Sequence, residues 1–170
     1  MSSIKPTIYL DMDGVVADFN AYAEPIVGYK APGGIRYDED AWQKISRNPR
    51  LYSLLPKCPG ADRLVETVKI IASDHDYDVK FLSAIPKENN LPWVYWDKIH
   101  WVQKYFPDIP LFLGPYSSDK QYHYSDGDIL IDDRTSNVSE WTSKGGFAIM
   151  HYYGQVDSTL ERLRIHINNI

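Results

Sequence analysis

The sequence predicts an α/β fold in which an open, mainly parallel sheet lies between helices, and three observations lead to it. Short apolar runs rich in β-branched and aromatic residues recur at Thr7 to Asp11, Asp78 to Ser83 and Asp128 to Asp133, each carrying apolar residues to a polar or acidic end. Patterns of helical period alternate with these runs, which is the signature of strand and crossover helix in succession. Finally, 170 residues with 44% hydrophobic and 24% charged content are what one core of ordinary globular composition requires.

Taken in order, Thr7 to Asp11 reads as a buried first strand ending in acids. From Phe19 to Lys57 the alternation stops. Helix-like stretches such as Asp38 to Ser46 are broken by Pro32, Gly33, Gly34 and Pro49 with no convincing strand, so residues 19–57 read as a small helical insertion. Pro59 then opens a helix whose apolar face is Ala61, Leu64, Val65, Val68 and Ala72. Asp78 to Ser83 is the second strand. Leu91 to Phe106 reads as a Trp-rich helix in which Trp93, Trp96 and Trp101 pack, and Leu111 to Leu113 is a short strand. After the strand Asp128 to Asp133, Asn137 with Glu140 three residues on suggests a helix start, stopped by Gly145 and Gly146. Phe147 to Met150 is a fifth strand, and Val156, Leu160, Leu163, Ile167 and Ile170 fall on one face of a closing helix.

Composition excludes several function classes. A formal net charge of -5 does not suit a broad grip on polymeric nucleic acid, which needs clustered Lys and Arg, whereas a small phosphorylated ligand can be held by one metal and a few cations. The single cysteine, Cys58, excludes an internal disulfide framework and a cysteine metal cluster, and fits a cytoplasmic setting. Residues 1–6 lack a signal-peptide core, and no stretch is long enough to span a membrane. The five histidines show no ligand-like spacing.

In open α/β sheets ligands bind beyond the carboxyl ends of the strands, so groups far apart in sequence converge there. Here those ends supply Asp11 and Asp13, then Ser83, then Asp132 and Asp133. Clustered carboxylates repel unless a cation neutralises them, and an all-oxygen donor set favours magnesium. A carboxylate held against a metal-bound phosphate can attack phosphorus; Asp11 is the candidate nucleophile, Asp13 the group that protonates the leaving alcohol and then activates water, and Gly14 permits the turn that follows.

The segment Asp11-Met12-Asp13-Gly14-Val15-Val16-Ala17-Asp18-Phe19 resembles the first motif of the haloacid dehalogenase-like (HAD) superfamily in the form found in its 5'(3')-deoxyribonucleotidases. Ser83-Ala84-Ile85-Pro86-Lys87 resembles the second motif, Lys120 matches the third-motif lysine, and Ile131-Asp132-Asp133-Arg134 resembles the fourth. Leu55-Pro56-Lys57-Cys58-Pro59-Gly60-Ala61 and Trp101-Val102-Gln103-Lys104-Tyr105-Phe106 are further similar segments. The resemblance implies one domain over 1–170, with a Rossmann-like core (1–18 and 58–170) and a helical cap (19–57).

It also implies a magnesium-dependent phosphatase acting on 5' or 3' nucleoside monophosphates through an aspartyl-phosphate, with Mg2+ held by Asp11, Asp132 and the backbone carbonyl of Asp13. Asp133 binds the metal directly, binds it through water, or orients Lys120. Ser83 and Lys120 would balance phosphate charge. Ala84 stands where relatives often carry a second hydroxyl, Lys87 could compensate, and Arg134 could contact phosphate or pair with a neighbouring acid. From the cap, Phe19, Trp42 and Tyr52 either face the substrate or hold the cap helices together. Alternatives are a HAD phosphatase for another small phosphorylated metabolite and a non-catalytic nucleotide-binding protein on the same scaffold. A homodimer stays open.

Overall fold

The central apolar runs, Thr7–Leu10 and Ile129–Asp132, become strands buried on both faces, as a parallel sheet covered by helices demands. A computed structural model describes residues 4–32, 35–87 and 91–170; residues 1–3 and the helix-breaking pair Gly33 and Gly34 lie outside the described residues. The strands are β1 (Thr7–Leu10), β2 (Asp78–Ser83), β3 (Leu111–Leu113), β4 (Ile129–Asp132) and β5 (Phe147–Met150). They form one sheet of order β3-β2-β1-β4-β5 in which every pairing is parallel, with Leu10 opposite Phe81 on one side and Ile131 on the other.

Alternation along the strands divides the core in two. Ile8, Leu10, Phe81, Ile129, Ile131 and Ile149 face α3 (Ala61–Asp74), α4 (Val94–Tyr105) and α6 (Val156–Asn168). Tyr9, Leu82, Leu130 and Ala148 point the other way onto Trp141 of α5 (Thr135–Ser143), whose ring meets Tyr9 edge-on at 5.6 Å. Burying one such large apolar side chain contributes about 1.5–3 kcal/mol. Pro59 sits just before the Gly60 cap of α3, and Ala61, Leu64, Val65, Val68 and Ala72 are all buried.

The insertion contains α1 (Phe19–Val27), α2 (Glu39–Ile45) and a 3-10 turn, Leu51–Ser53. Asp18 and Asp38 start the two helices by accepting from the backbone N–H groups of Ala21 and Ala41 at 2.9 and 2.8 Å. The chain leaves and re-enters the sheet layer at one place: Asp18 N–H donates to Pro56 O and Cys58 N–H to Val16 O, both at 2.8 Å. The return is fastened to α4, where Arg50 Nε donates to buried Asp97 Oδ1 at 2.6 Å and Trp101 Nε1 to Leu55 O at 2.8 Å.

Three sequence expectations are corrected. Helix α5 starts at Thr135, not at Asn137, because the Asn137 side chain turns inward to Asp132 instead of capping. Trp93 and Trp96 are exposed, since they precede and flank the buried stripe of α4 formed by Val94, Trp101 and Val102. Ile170 lies beyond the end of α6 and is exposed. Lys120 sits in a 3-10 segment, Ser117–His123.

Candidate active site

The sheet order places a topological switch point between β1 and β4, from which the chain proceeds in opposite directions, and such a crevice is where ligands bind. Neighbouring strands are about 4.8 Å apart, so residues following β2, β1 and β4 fall within one small site. Asp11 follows β1, Ser83 ends β2 and Asp132 ends β4. Met12, between the two acids of the first motif, is buried in the core, which leaves Asp11 and Asp13 on the open side.

Asp11 is buried, and its Oδ1 accepts from Met12 N–H at 2.8 Å and from Lys120 Nζ at 2.7 Å. Lys120 Nζ also donates to Asp132 Oδ2 at 2.7 Å, so one ammonium ties together the ends of β1 and β4. Burial alone would push this ammonium down, but the Asp11 and Asp132 carboxylates more than offset it and hold Lys120 above the ordinary lysine range. Asp132 is further held by Arg134 N–H at 2.9 Å and by Asn137 Nδ2, which lies 3.0 Å from each carboxylate oxygen.

Three carboxylates, those of Asp11, Asp132 and Asp133, offer oxygens lying within 4.8 Å of one another. Asp133 Oδ1 is buried without a hydrogen-bond partner. Burial first, then the charges of Asp11 and Asp132, push the Asp133 carboxyl up to about 8. An orphaned buried oxygen in an all-oxygen acidic cluster is what a hard divalent cation satisfies, so the residues fit the metal that the sequence implies. The Asp13 side chain is not in that group. Its Oδ2 accepts from Lys98 Nζ at 2.7 Å, while its Oδ1 is buried and unpartnered.

Gly14 lets this happen. Its φ of +82° lies in the left-handed region, and a Cβ there would stand 2.1 Å from Asp133 Oδ2. The substitution Gly14→Ala must displace Asp133 and strain the turn, so it should weaken divalent-cation binding by about tenfold or more, measured by titration, while the core strands persist by circular dichroism.

Lys98 is the residue that sequence reasoning missed. It is fully buried on α4, and its Nζ donates to Asp13 Oδ2 and, at 2.8 Å, to Ser83 Oγ. The signal existed: Lys98 falls four residues after Val94 and three before Trp101, on the apolar stripe of the helix, where an unpaired lysine is costly. Ser83 is fully buried and starts no helix, so its hydroxyl is turned to the site rather than used as a cap.

The remaining predicted residues distribute unequally. Tyr52 is buried with its ring 4.7 Å from Lys98 Nζ, and burial, followed by the Asp13 charge, pushes its phenol well up against the opposing pull of Arg134 and Arg36. Phe19 stacks on Trp42 with ring centroids 6.0 Å apart and tilts onto Tyr52 at 5.8 Å, so these three rings form one cluster that reaches the site through Tyr52. Arg134 enters through its backbone N–H, and its guanidinium charge acts on Asp133. Ala84 is half-buried beside Ser83. Lys87 is exposed, with its ammonium 5.0 Å from the ring centroid of Tyr116 rather than on the acidic cluster.

No family model matches the chain. A curated protein of Vibrio phage KVP40, named "Putative 5'(3')-deoxyribonucleotidase", is 31% identical over 139 residues, covering 78% of this chain and 69% of that one. Two solved structures are similar in outline: a hydrolase from Streptococcus pneumoniae TIGR4 (TM-score 0.49, 13% identity, 96% of this chain and 98% of that chain) and the HAD domain of effector protein Lem4 from Legionella pneumophila (0.43, 14%, 97% and 94%). At those scores neither adds to the assignment. Identity and coverage with the phage protein, on a chain that gathers the four motifs at one switch point, are sufficient: the chain belongs to the 5'(3')-deoxyribonucleotidase family of the haloacid dehalogenase-like superfamily, a family of phosphoric monoester hydrolases.

Proposed function

We propose that the chain is a magnesium-dependent phosphatase that hydrolyses 5' or 3' (deoxy)ribonucleoside monophosphates through an aspartyl-phosphate on Asp11. The observation that carries this is the pairing of Asp11 with Lys120 inside a triad of carboxylates, with Asp13 and its own buried lysine alongside. The substrate class comes from the name of the phage relative.

In this reading Asp11 attacks phosphorus and the bond to the ester oxygen breaks. Asp13 supplies the proton that the departing alkoxide takes, from Oδ1, the oxygen that Lys98 leaves free. Asp13, now a carboxylate, then takes a proton from a water that attacks the phosphoryl group, giving inorganic phosphate and restoring Asp11. Ser83, Lys98 and Lys120 orient the phosphate and balance its charge, which counts for most where water is excluded. Asp11, Asp132 and the backbone carbonyl of Asp13 would hold Mg2+, with Asp133 bound to it directly, bound through water or orienting Lys120; the ion would supply charge neutralisation at the phosphate and a fixed template. Residues 1–18 and 58–170 make the core, and 19–57 make the cap whose Tyr52, backed by Phe19 and Trp42, borders the substrate. Arg134, whose charge acts on Asp133, would help with phosphate; the ammonium of Lys87, which could compensate for Ala84, lies 5.0 Å from the ring centroid of Tyr116.

Among the described residues no helix is long and apolar enough to cross a membrane. The lone cysteine, buried and unbridged, is in keeping with a cytoplasmic enzyme. Phosphate release from a panel of ribo- and deoxyribonucleoside monophosphates, 5' and 3', with magnesium and with chelator, tests the proposal. Turnover of at least one nucleotide, lost on chelation, is expected. Turnover only of a generic ester such as a sugar phosphate would replace the substrate assignment, and turnover unaffected by chelation would remove the metal.

A further inference from the structure

Asn137 lies in the first turn of α5 and is almost wholly buried, yet it neither caps the helix nor packs as an apolar residue would. Side chains on a helix lean toward its N-terminus, so an amide here reaches back to the residue that ends β4. Its Nδ2 stands 3.0 Å from Oδ1 and 3.0 Å from Oδ2 of Asp132. The amide cannot turn over without loss, because its oxygen would then face the acceptor-only Asp132 carboxylate; as placed, its Oδ1 accepts from Ser117 Oγ at 2.7 Å. With Arg134 N–H on Oδ1 and Lys120 on Oδ2, the Asp132 carboxylate is held from two elements, the start of α5 and the 3-10 segment Ser117–His123.

That 3-10 segment bears both Ser117 and Lys120, so one rigid piece sets the amide and the ammonium together. A carboxylate accepts about four such bonds, and the four contacts made by these three donors fix its rotamer and the direction in which its oxygens face. We infer that Asn137, locked by Ser117, is a positioning residue that aims the Asp132 carboxylate for divalent-cation binding. The inference rests on the proposed reading of Asp132 as a metal ligand. Partners of this kind act on affinity, since a ligand free to rotate must be ordered when the ion arrives.

The test is a titration with Mn2+, followed by loss of the free-ion electron paramagnetic resonance signal, on substrate-free wild type, Asn137→Leu and Ser117→Ala. Asn137→Leu is expected to raise the Mn2+ dissociation constant about 10–100-fold. Ser117→Ala, which keeps the Asn137 donors but unlocks them, should raise it by a smaller factor, about threefold to tenfold. Thermal melts in chelator identify the folded variants, and if the leucine variant does not fold, Ser117→Ala carries the test. Variants that melt lower in chelator but bind Mn2+ as wild type does would overturn the inference, because Asn137 would then be structural only. Wild type that binds no Mn2+ would overturn the metal reading and the inference with it, whereas wild-type binding with unchanged variants overturns the inference alone.

Discussion

Asp11→Asn is expected to lower kcat by about ten-thousandfold or more, the scale on which enzymes lose a nucleophile, while the protein stays folded. The amide is nearly isosteric and keeps an oxygen to accept from Met12 N–H and Lys120, the two groups now bonded to Asp11 Oδ1. It removes one of three carboxylates crowded within 4.8 Å, so metal-free stability should not fall. What is lost is the negative oxygen that forms the bond to phosphorus. Steady-state phosphate release alongside a thermal melt separates the two effects, and residual turnover within about a hundredfold of wild type would assign the nucleophile elsewhere.

Lys120→Met should produce the largest change in stability. Lys120 is buried and bridges Asp11 and Asp132 at 2.7 Å each, with Asp133 alongside. Removing one partner of a buried ion pair costs about 3–5 kcal/mol, because the charges left behind are neither hydrated nor paired. For a chain of this size each kcal/mol lowers Tm by about 2–4 °C, so a drop of roughly 6–20 °C is expected in chelator. Excess Mg2+ should recover part of it by neutralising the same carboxylates, and should therefore raise the Tm of Lys120→Met more than that of wild type. Turnover at saturating Mg2+ should still be lower by about a hundredfold, since the phosphate loses a fixed cation. Calorimetry with and without Mg2+ gives the comparison, and an unchanged Tm in chelator would show that Lys120 does not neutralise the cluster.

The parts of this site that were legible in the sequence are those tied to strand ends. Short apolar runs with polar or acidic termini put Asp11, Ser83 and Asp132 at strand ends, and the parallel sheet brings those ends together. Lys98 escaped because its role depends on α4 crossing beneath the insertion, a tertiary relation that no local pattern states; only its place on an apolar stripe hinted at it. Asn137 was misread for the opposite reason. Its spacing to Glu140 imitates a helix cap, whereas the buried carboxylate of Asp132 is the stronger acceptor for its amide. The aromatic residues of the insertion show the same limit, since the sequence leaves open whether Phe19, Trp42 and Tyr52 face the substrate or hold the cap helices together, and only folding sets Tyr52 over the Lys98 ammonium.

The central claim is that the phosphoryl group passes through Asp11, and the most direct measurement is an acid quench of the enzyme during turnover of a hydrolysed nucleotide, followed by peptide mass spectrometry. A phosphoryl adduct on the peptide containing Asp11, dependent on Mg2+ and missing in Asp11→Asn, is the predicted result. An adduct on another residue, or steady turnover with no adduct at any quench time in wild type and in an Asp13→Asn variant slowed at hydrolysis, would contradict it.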